Sequence, residues 1–284
     1  MFKFEILLEI KIAAFVTGIL SYVPYIVFLG RKIRKIFGKS QQKRDLDYGF
    51  NVLKSRIDDA KPIEINLQKK TFLEIAPGDN FSGPISACLM GATKSIGIDA
   101  FDYTDLSLNQ QILEALVKCI RVDDDVYQKL NGDLKKFEEE RISEYFSYFA
   151  PYSQMNIADQ SVDIAMSLST MEHVKNPEEL YRMLYCWLAP NALLINKIDF
   201  SSHGMTRRWY GHYLLPTSVW RIIQGKKVNY LNRWTEKSHL DCCKNLGFEL
   251  VKRVPYETFE SAPAKLNDLP FAALHIWKKP ICNQ

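Results

Sequence analysis

Apolar runs that end in a polar or acidic residue recur through the middle of the chain. The runs are KTFLEIA (70–76), SIGIDA (95–100), VDIAMSLS (162–169) and NALLINKIDF (191–200). Continuous apolar character over such short lengths is typical of strands that are buried on both faces of a parallel sheet. Helical patterns separate the runs, and this alternation predicts an α/β fold with a Rossmann-like, doubly wound sheet.

Amphipathic helices are predicted between and around these strands. We expect them at 48–61, at 83–91, after Asn176 and at 236–246, with a longer, charge-rich helical insert at about 105–147. The helix after Asn176 has the clearest signals, because asparagine is a good N-cap and the following proline suits the first helical turn.

Two further apolar runs, GFELVKRV (247–254) and FAALHIWKK (271–279), have no helical pattern between them. Strands joined without a crossover helix pair in antiparallel fashion. We therefore expect a hairpin pair at one edge, which makes the sheet mostly parallel with an antiparallel last strand. The folded domain is predicted to cover residues 48–284.

The N-terminal segment, residues 1–47, has a different character. Residues 12–30 carry no charge, and the basic stretch RKIRKIFGKSQQKR (31–44) follows directly. The uncharged run is about long enough to cross a bilayer, and its basic flank suits a cytoplasmic side. Pro24 within the run and the charged residues before it argue against a span. The alternative is an amphiphilic helical segment that packs on the domain or makes peripheral membrane contact through residues 12–44.

Charge and cysteine usage exclude several classes of protein. The net charge is only +4, and much of the positive charge lies in residues 31–44, so the sequence predicts no nucleic-acid groove. The six cysteines contain no CxxC pair, which predicts free thiols in a reducing, cytoplasmic compartment. The five histidines show no ligand spacing along the chain, so no metal site is predicted.

The stretch FLEIAPGDNFSG (72–83) joins the first strand to a helix through a glycine turn. Ligands bind open parallel sheets at the carboxyl ends of the strands, where Glu74, Gly78 and Asp99 are expected to cluster. Gly78 lets the backbone approach a ligand closely, and an acid that ends the second strand can accept hydrogen bonds from both hydroxyls of a ribose. These features fit a nicotinamide dinucleotide or S-adenosylmethionine.

Two details favour S-adenosylmethionine as the cofactor. A dinucleotide fingerprint needs a third glycine for close packing of the helix on the strand, and Phe81 occupies that position. Glu74 and Asp79 are poor neighbours for a pyrophosphate, whereas carboxylates suit the ammonium and sulfonium groups of S-adenosylmethionine.

The same stretches resemble the motifs of the class I S-adenosylmethionine-dependent methyltransferases, and of their type 11 group in particular. LEIAPGDN (73–80) is similar to the first motif of that group, and GIDA (97–100) to the acidic end of its second strand. Residues 158–196, which include MEHV and NPEEL…WLAP, are similar to the stretch from its fourth strand through its fifth. Ala76 and Asn80 stand where the group often has glycine, but alanine fits a tight turn and asparagine tolerates a left-handed backbone.

The resemblance implies a donor site at the carboxyl edge of the sheet. The residues that it implies are Glu74, Ala76, Gly78 and Asp79 for the methionine end, Asp99 and Ala100 for the ribose, Tyr152 and Ser153 for the adenine, and Ser169 after the fourth strand.

Methyl transfer is an in-line displacement, so the protein has to align the acceptor and, for a hydroxyl, remove its proton. The candidate catalytic residues are His173, just after the fourth strand, and Asp199 and His203, just after the fifth. Asp199 could orient His203 as its partner or could cap the next segment, and His173 could pack locally and orient its loop.

Residues 201–234 are predicted to form a substrate cap. Cations lie beside aromatic residues there, a mixture that suits a sugar or an anionic, partly apolar acceptor, although an aromatic lid packed on the domain is the alternative. The candidate acceptor-binding residues are Arg207, Arg208, Trp209, Tyr210, His212 and Tyr213.

The predicted function is methyl transfer to an oxygen or nitrogen of a glycan, a lipid-linked intermediate or a related small molecule. The protein is expected in the cytoplasm or on the cytoplasmic face of a membrane. One alternative is a carbon methyltransferase that acts on a quinone or other prenylated ring, which predicts a deep apolar pocket in place of a polar cleft. The other is a non-catalytic partner protein with the same fold, which the altered positions 76 and 80 alone support.

Overall fold

The computed structural model describes residues 10–23, 46–102, 104–152, 156–226, 231–258, 260–266 and 269–281. The helices in these residues are α1 (Ile12–Leu20), α2 (Tyr48–Ala60), α3 (Ser82–Leu89), α4 (Asn109–Leu116), α5 (Asp124–Glu140), α6 (Pro177–Trp187), α7 (Gly211–Leu214), α8 (Thr217–Gln224) and α9 (Glu236–Asn245). The strands are β1 (Thr71–Ile75), β2 (Lys94–Ile98), β3 (Phe146–Phe149), β4 (Val162–Leu168), β5 (Leu188–Asp199), β6 (Glu249–Tyr256) and β7 (Ala272–Lys278). Short 3₁₀ turns lie at Leu106–Leu108, Met171–His173 and Ala264–Leu266.

The strands form one sheet in the order β3-β2-β1-β4-β5-β7-β6. Neighbouring strands from β3 to β5 pair in parallel, while β7 lies antiparallel between β5 and β6. The prediction of a Rossmann-like, mostly parallel sheet with an antiparallel last strand is confirmed. The expected pairing of the final two strands at one edge is confirmed as well.

Helices cover both faces of the sheet, and β1 shows how the sequence achieves this. Successive side chains of a strand point to opposite faces. Phe72 therefore packs into one apolar cluster with Ile85 of α3, and Leu73 packs into a second cluster with Leu184 of α6. All four side chains are almost completely buried, which explains why β1 is apolar without alternation.

The insert predicted to be helical over 105–147 differs in its last part. It contains the helices α4 and α5, but β3 begins at Phe146, inside the predicted range, and pairs in parallel with β2. The strand is only 4 residues long, and so short a run carries too little periodicity to stand out after a charged helix.

The N-terminal segment is described only for residues 10–23, so most of the predicted segment 1–47 lies outside the described residues. Within the described part, α1 packs against α8, and a Cβ at Gly18 would collide with the backbone oxygen of Ile222. No helix in the described ranges is both long enough and apolar enough to span a bilayer.

Candidate active site

The candidate site lies at the carboxyl edge of the parallel strands. The polar residues that end β1, β2, β4 and β5 meet there because parallel strands all finish at the same edge. These residues are Glu74, Asp99, Ser169 and Asp199.

Glu74 is buried near the end of β1 and lies against the first turn of α3. A Cβ at Gly83 would collide with its carboxylate, so the glycine makes room for the acid. The Oε2 atom has no hydrogen-bond partner in the protein. Burial raises the pKa of Glu74 to about 7. A buried carboxylate without a partner is costly, and a cationic ligand group would remove that cost.

The turn after β1 leaves open space beside its backbone. Ala76 and Gly78 have positive φ angles of 56° and 82°, and the Ala76 N–H donates a 2.7 Å hydrogen bond to the Ile98 oxygen. A Cβ at Gly78 would meet no atom within 4 Å, so an approaching ligand finds room there. Asn80 replaces a frequent glycine usefully, because its Oδ1 accepts a 3.0 Å hydrogen bond from the Ser82 N–H at the start of α3. Asp79 is exposed at the same turn.

Asp99 ends β2 and organises the next part of the edge. Its side chain is buried and accepts a hydrogen bond from the Phe101 N–H, and burial raises its pKa. Its backbone oxygen accepts a 2.8 Å hydrogen bond from the Tyr152 N–H, which brings Tyr152 to the same place. Ala100 is exposed beside it, and Ser153 lies outside the described residues.

The donor-site features fit S-adenosylmethionine. The partnerless carboxylate of Glu74 matches an ammonium group, the buried Asp99 matches ribose hydroxyls, and the space beside Gly78 admits a ligand close to the backbone.

A second polar cluster follows β4 and β5. The Nε2 atom of His203 lies 3.4 Å from Oδ2 of Asp199 and 3.9 Å from Oε1 of Glu172. The His173 and His203 rings meet edge to face, with centroids 4.8 Å apart. Burial opposes ionisation of Asp199, but hydrogen bonds from His203 and Ser201 outweigh it and hold its pKa below the ordinary value. The structure thus brings together all three predicted catalytic residues.

Glu172 belongs to this cluster although it was not predicted as a site residue. It is 5% exposed, and neither carboxylate oxygen has a hydrogen-bond partner. Burial, with a contribution from Asp199, raises its pKa to about 8. Its signal was present in the motif MEHV, where an acid directly precedes His173.

A third buried glutamate, Glu236, is fully paired and gives a contrast to Glu74 and Glu172. Glu236 at the start of α9 is 6% exposed, but Arg253 donates to it at 2.7 Å and it lies 2.8 Å from His275. Burial opposes ionisation there too, yet these partners lower the pKa of Glu236 to about 2. The paired acid stabilises the fold, whereas Glu74 and Glu172, which have buried carboxylate oxygens without a hydrogen-bond partner, lie at the candidate site.

The cap holds the turn that carries Glu172 and His173 in place through Asn232. Its side-chain amide donates to the backbone oxygens of Met171 at 2.7 Å and Val174 at 2.9 Å, and its backbone N–H donates to the backbone oxygen of Glu172. Asn232 therefore fixes the 3₁₀ turn that carries Glu172 and His173. No motif in the sequence marked it.

The predicted acceptor-binding residues divide into two groups. Arg207 and Arg208 are exposed, and Trp209 and Tyr213 are half-buried. Tyr210 and His212 lie in the interior of the cap, where the His212 ring stacks at 4.0 Å from the Tyr213 ring. Burial lowers the pKa of His212 to about 3, so it is neutral. These positions suit packing of the cap.

The fold also creates ligand spacing that the chain lacks. Among the described residues, one ligand atom each of Glu172, His173 and His203 lies within 4.8 Å of the others, a grouping that could hold a metal ion. Residues that show no metal-ligand spacing in the sequence are therefore brought close enough by the fold to hold one ion.

The sequence comparisons give one match. The family described as "Methyltransferase domain" matches residues 108–196, which run from the start of α4 to the middle of β5. No curated protein matches the chain significantly.

Solved structures with a similar fold are distant in sequence. A methyltransferase from Haloferax volcanii, in complex with the Trm112 methyltransferase activator, is 13% identical over 86% of this chain and 95% of its own, with a TM-score of 0.49. An S-adenosylmethionine-dependent methyltransferase from Mesorhizobium loti is 12% identical over 83% and 99%, with a TM-score of 0.45. Phosphoethanolamine N-methyltransferase 2 of Haemonchus contortus, in complex with S-adenosylmethionine, is 13% identical over 81% and 52%, with a TM-score of 0.48.

Proposed function

We propose that this chain is an S-adenosylmethionine-dependent methyltransferase of class I and that it methylates an oxygen or nitrogen of a glycan, a lipid-linked intermediate or a related small molecule. The observation that carries the proposal is the pair formed by His203 and Asp199, 3.4 Å apart at the carboxyl edge of the sheet. A histidine oriented by an ionised carboxylate is suited to take a proton from a hydroxyl, which a carbon nucleophile of a quinol ring does not require in the same way.

The donor is held by the edge residues of β1 and β2. S-adenosylmethionine, when bound, supplies a methyl group on a positively charged sulfur with a good leaving group. The Glu74 carboxylate pairs with its ammonium group, and Asp99 accepts hydrogen bonds from its ribose hydroxyls. The remaining proposed donor contacts are Ala76, Gly78 and Asp79 at the turn, Ala100, Tyr152 and Ser153 towards the adenosine, and Ser169 after β4.

His203 would accept the proton of the acceptor hydroxyl while the acceptor oxygen takes the methyl group that S-adenosylmethionine would supply. Asp199 holds the imidazole in position and stabilises the imidazolium that results. His173, edge-on to His203, fixes the ring from its other side. Glu172, whose raised pKa keeps it largely protonated at neutral pH, can donate a hydrogen bond to a polar group of the acceptor.

The acceptor enters beneath the cap. The exposed cations Arg207 and Arg208 and the half-buried rings of Trp209 and Tyr213 offer charge and aromatic surface to a sugar or an anionic group. Tyr210 and His212 support this surface from inside the cap. The transfer itself needs no metal.

The test is an incubation with methyl-labelled S-adenosylmethionine and defined acceptors. The acceptors are a free amino sugar, the same sugar linked to a polyprenyl diphosphate, and a prenylated hydroquinone. Label on an oxygen or nitrogen of either sugar acceptor supports the proposal. Label on a ring carbon of the hydroquinone alone would identify a carbon methyltransferase. A folded sample that binds neither S-adenosylmethionine nor S-adenosylhomocysteine by calorimetry would indicate a non-catalytic partner protein.

A further inference from the structure

The helix α1 has two different apolar faces. Phe15 and Gly18 point towards α8, where Gly18 is fully packed against the backbone of Ile222 and Ile223. The opposite face is apolar as well but points to solvent. Its exposed fractions are 80% for Ile12, 44% for Val16, 50% for Ile19 and 39% for Leu20.

The exposed residues are spaced as one stripe along the helix. Positions 12, 16, 19 and 20 follow the helical repeat, and the exposed Val23 continues the stripe beyond the end of α1. No residue of α1 is charged. A contiguous apolar stripe of this kind on the surface marks an interaction site, because scattered exposed apolar residues do not line up on one face.

Basic residues flank α1 in the sequence and lie on the helix against which it packs. Lys11 precedes α1, and the exposed Arg221 and Lys226 lie on and just after α8, the helix against which α1 packs. In the sequence, the stretch 31–44 adds seven lysine and arginine residues and no acid. An apolar helix face that is accompanied by lysine and arginine residues is suited to a bilayer surface with anionic headgroups.

The start of α1 is also joined to the acceptor loop, which is the stretch 200–210 between β5 and α7 that carries His203, Arg207 and Arg208. Ile10 forms an antiparallel backbone bridge with Thr206, and the Lys11 ammonium group lies close to Gly204. Gly204 directly follows the proposed base, His203. The surface that carries the stripe and the loop that receives the acceptor are therefore one continuous piece of structure.

We propose that the outer face of α1, the stripe Ile12, Val16, Ile19, Leu20 and Val23, seats the enzyme on an anionic membrane and presents the acceptor loop to a membrane-borne acceptor. The identity of the acceptor rests on the proposed function, whereas the docking itself does not. A second copy of the chain fits this face less well than a membrane, because pairing two stripes would bring the lysine and arginine residues of both copies together.

The experiment measures flotation of the full chain with vesicles of phosphatidylcholine alone and with vesicles that also contain phosphatidylglycerol. We expect binding to the anionic vesicles only. The double variant V16E/I19E should weaken that binding by about tenfold or more, because two charges enter the apolar face. The matched control I142E/V251E changes residues of the same types with nearly equal exposure, 49% and 44%, elsewhere on the surface, and should bind like the unmodified chain.

Two results would overturn the docking proposal. One is equal vesicle binding by V16E/I19E and by the control. The other is a dimer in sedimentation without lipid that V16E/I19E abolishes, together with no vesicle binding. Titration of the same preparations with S-adenosylhomocysteine keeps the two proposals separate. If neither the unmodified chain nor any variant bound this ligand, the enzyme function would be refuted and the vesicle result would still stand.

Discussion

The imidazole Nε2 of His203 lies 3.4 Å from Oδ2 of Asp199, and the two residues are only four positions apart in the chain. A strand end alone does not bring them together. His203 has a left-handed backbone with φ of 48°, which turns its side chain back towards β5. A non-glycine residue in this region is strained, and such strain is frequent where a side chain has to be aimed.

Removing this pair should impair transfer and leave donor binding intact. We expect His203→Ala and Asp199→Asn each to lower kcat by about 10²–10⁴-fold, the usual contribution of a positioned base. Steady-state kinetics with an accepted substrate measures the loss, and calorimetry with S-adenosylhomocysteine measures donor affinity. Arg182→Ala is the control, because Arg182 pairs with Glu178 on the exposed side of α6. Equal kcat for His203→Ala and the control would rule out His203 as the base.

Donor binding should depend on the ionisation of Glu74. Its pKa is about 7 in the free protein, and only the ionised form attracts an ammonium group. Affinity for S-adenosylmethionine should therefore fall as the pH drops from 8 towards 5.5, with proton release on binding near pH 6.5. Titrations in buffers of different ionisation enthalpy detect those protons. Glu74→Gln should remove both the affinity and the proton release, and unchanged affinity in this variant would place the ammonium group elsewhere.

The buried glutamates Glu74 and Glu236 should affect the pH dependence of stability in opposite directions. The folded-state pKa of Glu74 is raised, so stability falls as the pH rises from 4.5 to 7, and Glu74→Gln should stabilise the free protein at pH 8 by up to about 3 kcal/mol. The pKa of Glu236 is lowered to about 2, so its contribution is present above pH 4.5 and is lost as the pH falls towards 2. Glu236→Gln should destabilise at pH 7 by an amount on the order of 3 kcal/mol. Thermal unfolding across this pH range checks both signs.

Asp99 should carry the ribose interaction. Removing a charged acceptor from two ribose hydroxyls costs about 2–4 kcal/mol, so Asp99→Ala should weaken donor binding by roughly 30-fold or more. Asp102→Ala is a close control, since Asp102 is exposed and pairs with Arg141 at 2.8 Å. Calorimetric titration with S-adenosylhomocysteine compares the two. Similar affinities in both variants would argue against a ribose contact at Asp99.

Zinc ions should inhibit the enzyme, and chelators should not. Glu172, His173 and His203 have ligand atoms within 4.8 Å of one another, so Zn²⁺ can compete for the imidazole that has to accept a proton. Activity after dialysis against EDTA should be unchanged, and added Zn²⁺ should lower kcat. Glu172→Gln should weaken the inhibition. Loss of activity on chelation, with recovery on adding a divalent ion, would instead make the cluster a catalytic metal site.

The comparison of sequence and structure is clearest for the sheet and its motifs. The buried parallel strands are readable because continuous apolar runs such as β1 cannot be stable as exposed structure. The N-cap at Asn176 could be predicted because it depends only on the residue itself and its neighbours in sequence. In the structure its side chain accepts a hydrogen bond from the Glu179 N–H. β3 could not be predicted from the sequence, because so short a strand depends on its pairing with β2 more than on its own hydrophobic pattern.

The candidate site divides in the same way. Acids that end buried strands, such as Glu74 and Asp99, stand out in the sequence because a buried carboxylate is costly. Only the fold shows that Glu236 is paired, because its partners Arg253 and His275 come from β6 and β7. Only the fold shows that the buried carboxylates of Glu74 and Glu172 have no such hydrogen bonds. The sequence by itself determined the class of fold and the residues at the sheet edge, through periodicity and local cost. The tertiary structure alone decided that Glu172 joins the His203–Asp199 pair, that Asn232 holds the turn of Glu172 and His173, and that one face of α1 is exposed, because each depends on how segments far apart in the chain pack together.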